Sequence, residues 1–223
     1  MTSHNNLTII GTSHIASHSV REIEQAFRES NPDVVAVELD HSRLQALLSE
    51  KKPDYSPWII REIGLKGYLF AVIGGLVQQK LGDIVGVKPG SDMLKAITLA
   101  RDNGRKIALI DRDIRVTLSR LSKKITWKER FNFLIDIFRA PFSKRMHLDL
   151  SKVPEKKMIF ELMKLLKTRY PGLYQVLVEE RNHIMALKLH GLMENYPDKH
   201  ILAVVGAGHE EALLSMIKNM CAG

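Results

Sequence analysis

Leu7-Thr8-Ile9-Ile10-Gly11-Thr12-Ser13-His14 is the stretch on which the fold turns. An apolar, β-branched run ends in Gly-x-x-His and leads into a helix-like segment. Leu202-Ala203-Val204-Val205-Gly206-Ala207-Gly208-His209, near the other end of the chain, has the same form. A buried strand that ends in a glycine turn delivers the next side chains to its C-terminal edge. In open α/β sheets that edge is where ligands bind. If both strands share one parallel sheet, His14 and His209 meet over one crevice.

Working outward from Leu7–Ile10, Ser19-Val20-Arg21-Glu22 opens a helix, with Ser19 as cap and Glu22 as the capping-box acid. Ile23, Ala26 and Phe27 give its apolar stripe, and Asn31-Pro32-Asp33 ends it. Val34–Leu39 is the second strand. The β-α-β unit favours a right-handed crossover and parallel pairing. Further helices are expected over Arg43–Glu50 and Pro57–Lys80. Pro89-Gly90-Ser91-Asp92 reads as a turn and cap, with Met93, Ile97 and Ala100 following at helical spacing. Asn103-Gly104 ends that helix before a third strand, Ile107–Ile110. From Ile114 to Tyr196 the pattern is nearly all helix, divided by Pro141, Pro154 and Pro171-Gly172. Phe131, Leu134, Ile135 and Phe138 form one apolar face there; Phe160, Met163, Leu166 and Leu173, Val176, Leu177 form others. All are expected to be core. The last strand is Ile201–Val205. The fold class is therefore α/β: a mostly parallel central sheet flanked by helices, with a large helical insertion before the last core strand. The chain reads as one domain over 1–223, with the insertion at about 114–196 serving as a lid or a dimerisation element.

Val35-Ala36-Val37-Glu38-Leu39-Asp40 brings carboxylates to the same sheet edge, and alternation places Glu38 and Asp40 on one face. Two histidines and a carboxylate suit Zn, Mn, Fe or Co. Asp111-Arg112 closes the third strand, either as an ion pair that ties a loop or as part of the site. Glu180, Arg181 and Asn182 sit in a helix that is partly buried, judged by Leu177, Val178 and Met185. Other chemistries are poorly served. Ser13 adjoins His14, so the two side chains diverge, and no Gly-x-Ser-x-Gly occurs. There is neither a phosphate-binding Gly-x-x-x-x-Gly-Lys-Ser/Thr loop nor a His-Glu-x-x-His helix.

The 223 residues are enough for one substantial core, and 45% hydrophobic with 26% charged residues is ordinary globular composition. The single cysteine, Cys221, excludes an intrachain disulfide and suits a reducing compartment. No secretory signal is visible at Met1–Asn6. Leu65–Val77 is too short and too interrupted to span a bilayer and reads as a buried helix or helical hairpin element. A cytoplasmic place, or the cytoplasmic face of a membrane, is expected. The net charge is +8, with Lys and Arg concentrated between Arg112 and Arg169. No nucleic-acid motif or aromatic platform accompanies it, so nucleic acid is not an expected partner.

The chain resembles the TraB/PrgY family. Gly11-Thr12-Ser13-His14 with Ser19 and Val35–Asp40 match its opening, and Gly86-Val87-Lys88-Pro89-Gly90-Ser91-Asp92-Met93 matches its middle. Leu109-Ile110-Asp111-Arg112-Asp113-Ile114 with Thr117-Leu118, Glu180-Arg181-Asn182 with Met185, and Val204–His209 follow in order over nearly the whole chain. GumN-like proteins and the Tiki metalloproteases are related groups. The resemblance implies a sheet-and-helix fold shared with erythromycin-esterase and ChaN-like proteins. It implies a metal-dependent peptidase like Tiki, or a block on a peptide pheromone like PrgY. The active centre implied is His14, Glu38, Arg181 and His209, with Mn, Co or Zn on His14, Glu38 and His209. Supporting places fall to Gly11, Asp40, Asp111, Arg112, Glu180 and Gly206. Asn182 stands where many members have Asp, and Asp92 where many have Glu.

Two functions follow as expectations. In one, a metal-activated water cleaves a short peptide or peptide signal, with Arg181 on the oxyanion. In the other, the crevice holds a peptide without turnover, using Arg181 and Arg112 for a carboxylate and Glu38 for an amine. The insertion's apolar stripes and positive excess point to a homodimer contact, or to packing on a membrane segment of a longer protein with Lys123, Lys124 and Lys128 facing anionic headgroups; the alternative is a compact monomer whose stripes pack on one another. Many members carry C-terminal membrane segments, so membrane association through a C-terminal part absent here is also expected.

Overall fold

The alternation of side chains along the strands sorts the core into two layers. The computed structural model describes residues 1–12, 17–49, 61, 68, 90–139 and 156–222. Its sheet contains β1 (Thr2–His4), β2 (Leu7–Thr12), β3 (Val34–Val37), β4 (Lys106–Leu109) and β5 (Ile201–Gly206) in the order β1-β2-β5-β3-β4. The β2–β5, β5–β3 and β3–β4 pairings are parallel. β1 pairs antiparallel with β2 through a two-residue turn at Asn5-Asn6, where Asn5 takes φ 51°. β1 escaped the sequence reading because it is three residues long and largely polar.

Leu7, Ile9, Ala36, Ile201, Ala203 and Val205 point to one face of the sheet. They meet Met185, Ala186, Leu189 and Met193 of α8 (Glu180–Asn195) and Leu213 and Ile217 of α9 (Glu210–Cys221). Ile10, Val35, Val37, Leu202 and Val204 point to the other face, against Ile23, Ala26 and Phe27 of α1 (Ser17–Ser30) and Met93, Ala96, Ile97 and Ala100 of α3 (Ser91–Asp102). Strands buried on both faces are mostly apolar, which is why they stood out; the buried Thr8 and Thr12 hydroxyls of β2 are hydrogen-bonded. Each fully buried Leu, Ile, Val or Met contributes roughly 1.5–3 kcal/mol of transfer free energy.

The remaining helices are α2 (His41–Ser49), α4 (Ile114–Lys124), α5 (Trp127–Arg139), α6 (Lys156–Arg169) and α7 (Pro171–Tyr174), the last continuing through a π-helical turn at Gln175–Glu179 into α8. The helical insertion is thus present as α4 to α8. The stop signals act as expected: Asn31 and Gly104 take left-handed φ values of 40° and 63°, and Gly90, at φ 83°, precedes α3. Asp113 caps α4 by accepting from the Arg115 N–H at 2.7 Å. α1 begins at Ser17, so Ser19 lies inside its first turn and not at the cap.

The apolar face drawn through Phe131 is not all core. Phe131 is 65% exposed, while Val176 is buried beside Leu121 and Ile125 with Leu173 and Leu177. The expected helix over Pro57–Lys80, the Leu65–Val77 stretch and the prolines at 141 and 154 fall almost wholly outside the described residues. Among the described residues no helix is long and apolar enough to cross a membrane.

Candidate functional site

β5 lies between β2 and β3, so three parallel strands end side by side and their following residues converge. The first after β3 is Glu38, whose N–H still pairs with the Val204 carbonyl at 3.1 Å. The Gly206 N–H donates to Glu38 Oε2 at 2.6 Å. Gly206 thus binds the carboxylate with its backbone, at the strand end where the chain turns. Three residues on, His209 stands at the N-terminal boundary of α9, its N–H bonded to the Gly206 carbonyl at 2.8 Å. Its ring is buried, with Nε2 3.5 Å from Glu38 Oε1.

Asn182 sets the state of that ring. Its Oδ1 lies 2.5 Å from His209 Nδ1. An amide oxygen only accepts, so Nδ1 donates to it, and Nε2 is the nitrogen left facing Glu38 Oε1 and Arg181 Nη1.

Arg181, in the first turn of α8, holds the second side of the crevice. Its Nη2 donates to Glu38 Oε1 and, at 2.6 Å, to Asp111 Oδ2; its Nε donates to Asp111 Oδ1 at 3.0 Å. Nη1 donates to the Leu177 carbonyl at 3.1 Å and stands 3.4 Å from His209 Nε2. Burial works against this charge, but Glu38 and Asp111 outweigh it and raise the pKa of Arg181 further above the usual arginine value. The π turn just before α8 supplies the Leu177 carbonyl; such turns commonly re-aim a side chain at a site.

Asp40 and Arg43 extend the network. Asp40 Oδ1 accepts from the Ser42 and Arg43 N–H groups, and Oδ2 accepts from Arg43 Nε at 2.7 Å. Arg43 Nη2 also reaches Asp111. Among the described residues, Arg43 and Arg181 thus hold three buried carboxylates, Glu38, Asp40 and Asp111, and Lys188 Nζ donates to the Asp111 carbonyl at 2.7 Å.

The expected Asp111-Arg112 pair divides. Asp111 joins the site. Arg112 turns away to Glu180 at 2.7 Å, Thr117 and the Val176 carbonyl, and Arg120 grips the same Glu180 at 2.7 Å. Arg120 and Arg112 hold the Glu180 pKa down to about 2 against the opposing effect of burial. Glu180 thus fastens α8 to α4.

Gly11 supports the edge from behind. A Cβ there would lie 2.5 Å from Glu210 Oε2 and 2.9 Å from the Ala207 Cα. Thr12 donates to buried Asp92 at 2.5 Å, tying the end of β2 to α3. His14 lies outside the described residues. Among the described residues no cluster of three His, Cys, Asp or Glu side chains is placed to hold a metal ion. Arg43 was absent from the sequence-derived set; its one signal was the Asp40-x-x-Arg43 spacing at a helix start.

The TraB/PrgY/gumN family profile matches residues 2–218. An uncharacterized protein of Methanocaldococcus jannaschii is 36% identical over 222 residues, covering 96% of this chain and 54% of that protein. TraB domain-containing proteins of Bos taurus and Homo sapiens are 27% and 26% identical, covering 90% of this chain and 59% and 60% of their own lengths. The chain thus spans little more than half the length of these relatives. A profile match over nearly the whole chain, together with the 36% identical relative, decides the assignment: the chain belongs to the TraB/PrgY/gumN family.

Proposed function

We propose that this domain is a metal-assisted hydrolase of peptide bonds, working at the C-terminal edge of β2, β5 and β3. The observation that carries the reading is the His209 ring. Asn182 Oδ1 accepts a hydrogen bond from Nδ1–H, and Nε2 faces Glu38 Oε1 at 3.5 Å. In the neutral ring Nε2 carries the lone pair, and a nitrogen lone pair and a carboxylate oxygen at that separation suit two ligands of one divalent ion. Glu38, His209 and His14 would hold it, with Mn, Co or Zn the candidates. The ion would supply Lewis-acid polarisation of the scissile carbonyl and a bound water of lowered pKa.

The chain's own residues do the rest. Arg181 and the Gly206 N–H fix both oxygens of Glu38, so the carboxylate keeps its aim. Arg181 also offsets the buried charge of Asp111. An oxyanion role for Arg181 would draw on Nη1, which stands 3.4 Å from His209 Nε2 and now donates to the Leu177 carbonyl. The β2–β5–β3 strand ends hold these groups on rigid backbone. Capture of a peptide carboxylate by Arg112 and Arg181 has less support, because both guanidinium groups already donate to this chain's carboxylates and carbonyls.

Purified protein is expected to bind Mn, Co or Zn by calorimetry and to shorten members of a peptide library in that metal's presence. His209→Ala and Glu38→Gln should each lose both properties. Metal binding with every peptide recovered intact after long incubation would leave a binding protein; no metal binding and no cleavage would overturn the proposal.

A further inference from the structure

We propose that the corner where α4 meets α5 is a docking surface for the anionic headgroups of a lipid membrane. Trp127 is 81% exposed and Phe131 65% exposed. They stand four residues apart on α5, on one face of the helix. Lys123 and Lys124, in the last turn of α4, and Lys128, beside Trp127, are exposed as well. From Ile114 to Phe131 the sequence holds one carboxylate, Glu129. That carboxylate is turned inward: it is buried and accepts from the N–H groups of Thr126 and Gly172, at 2.7 and 2.6 Å, and from the Thr126 hydroxyl. The corner therefore offers water two large aromatic side chains and positive charge, with its acid withdrawn into the fold.

Charge complementarity decides the occupant. Lysines flanking an amphipathic aromatic ring match the headgroup layer of an anionic bilayer, where Trp settles by preference. A second copy of the chain would bring the same positive corner on a molecule of net charge +8. A nucleic acid would need the Trp127 ring faces for base stacking, and the Arg130 guanidinium lies over one of them, 4.5 Å from the ring centroid. The surface is separate from the crevice of Glu38 and His209, so this inference does not depend on the peptidase proposal.

The test is sedimentation of the whole chain with vesicles of phosphatidylserine and phosphatidylcholine, and with phosphatidylcholine alone, at low and high salt. Binding is expected to the anionic vesicles, to weaken with salt, and to fall about tenfold or more in Trp127→Ala/Phe131→Ser and in Lys123→Glu/Lys124→Glu/Lys128→Glu. All five side chains are exposed, so unchanged circular dichroism and thermal midpoints should confirm that both variants fold. Absence of wild-type binding at low salt, or equal binding by the variants, would overturn the proposal. So would light scattering that shows a dimer abolished by Trp127→Ala/Phe131→Ser, or duplex DNA that displaces the protein from vesicles and binds the aromatic variant as tightly as the wild type.

Discussion

Asn182 decides which nitrogen of His209 is available, and it does so with one atom. Its Oδ1 accepts the Nδ1 proton at 2.5 Å, in a pocket where both side chains are buried. A leucine there would leave Nδ1–H without that acceptor and let the ring take either tautomer. Partners of this kind typically govern 10- to 100-fold in metal affinity. Asn182→Leu should therefore weaken metal binding by about that factor, while Asn182→Asp, which keeps an acceptor, should retain it. Nitrogen-15 shifts of His209 report the tautomer directly; an unchanged Nδ1–H in Asn182→Leu would sink the argument. Gly11 is a second single-residue constraint. A methyl group there meets the Ala207 backbone at 2.9 Å as well as the Glu210 carboxylate. The side chain can rotate, but the backbone cannot move without disturbing β5's end. Gly11→Ala should cost about 1–3 kcal/mol in denaturant unfolding, the usual range for overpacking.

Among the elements, the join between α4 and α8 carries a pH signature. Glu180 is gripped by Arg120 and Arg112, and its pKa is lowered to about 2. A carboxyl group whose pKa is depressed by folding contributes stability above its ordinary pKa and loses it as pH falls through the folded value. Glu180→Gln should therefore be less stable than wild type at neutral pH, and the gap should close between about pH 4.5 and 2. A gap that stays constant across that range would show that the arginines do not act on Glu180 as described. Legibility followed the same physics element by element. Leu7–Ile10, Val34–Val37 and Ile201–Val205 were visible because burial on both faces keeps all but the hydrogen-bonded Thr8 apolar. β1 was not, since an edge strand of three residues needs only backbone pairing. The Phe131 stripe was misread because amphipathic spacing marks a face without saying what covers it. Glu38, Arg181 and His209 were found by motif and resemblance. Arg43 was missed because a basic residue at a helix start is commonplace until the fold brings Asp111 beside it. No compositional feature marks the π turn at Gln175–Glu179, which is a shift in backbone hydrogen bonding.

The whole molecule meets in Arg181. Its guanidinium joins α8 to Glu38 at the end of β3 and to Asp111 after β4, residues separated from it by 143 and 70 positions. The Leu177 carbonyl adds the π turn to the same junction. Contacts between residues so far apart in sequence need the whole domain in place, so the site and the fold should be lost in one cooperative transition. The arginine is largely buried, with 14% of its side chain exposed, and Asp111 and Glu38 are more buried still. Removing the cation leaves two carboxylates in a low-dielectric interior without the guanidinium that bridges them. Arg181→Met should therefore destabilise the chain by about 3–5 kcal/mol, the range for breaking a buried pair from one side. If charge compensation is the cause, removing an anion as well should restore part of the loss, although a further hydrogen-bonding group has been altered. Arg181→Met/Asp111→Asn is thus expected to be more stable than Arg181→Met alone, measured by urea unfolding at neutral pH. A double variant that is merely the sum of two losses would mean that Arg181 stabilises the fold through its packing and hydrogen bonds, with its charge of little account.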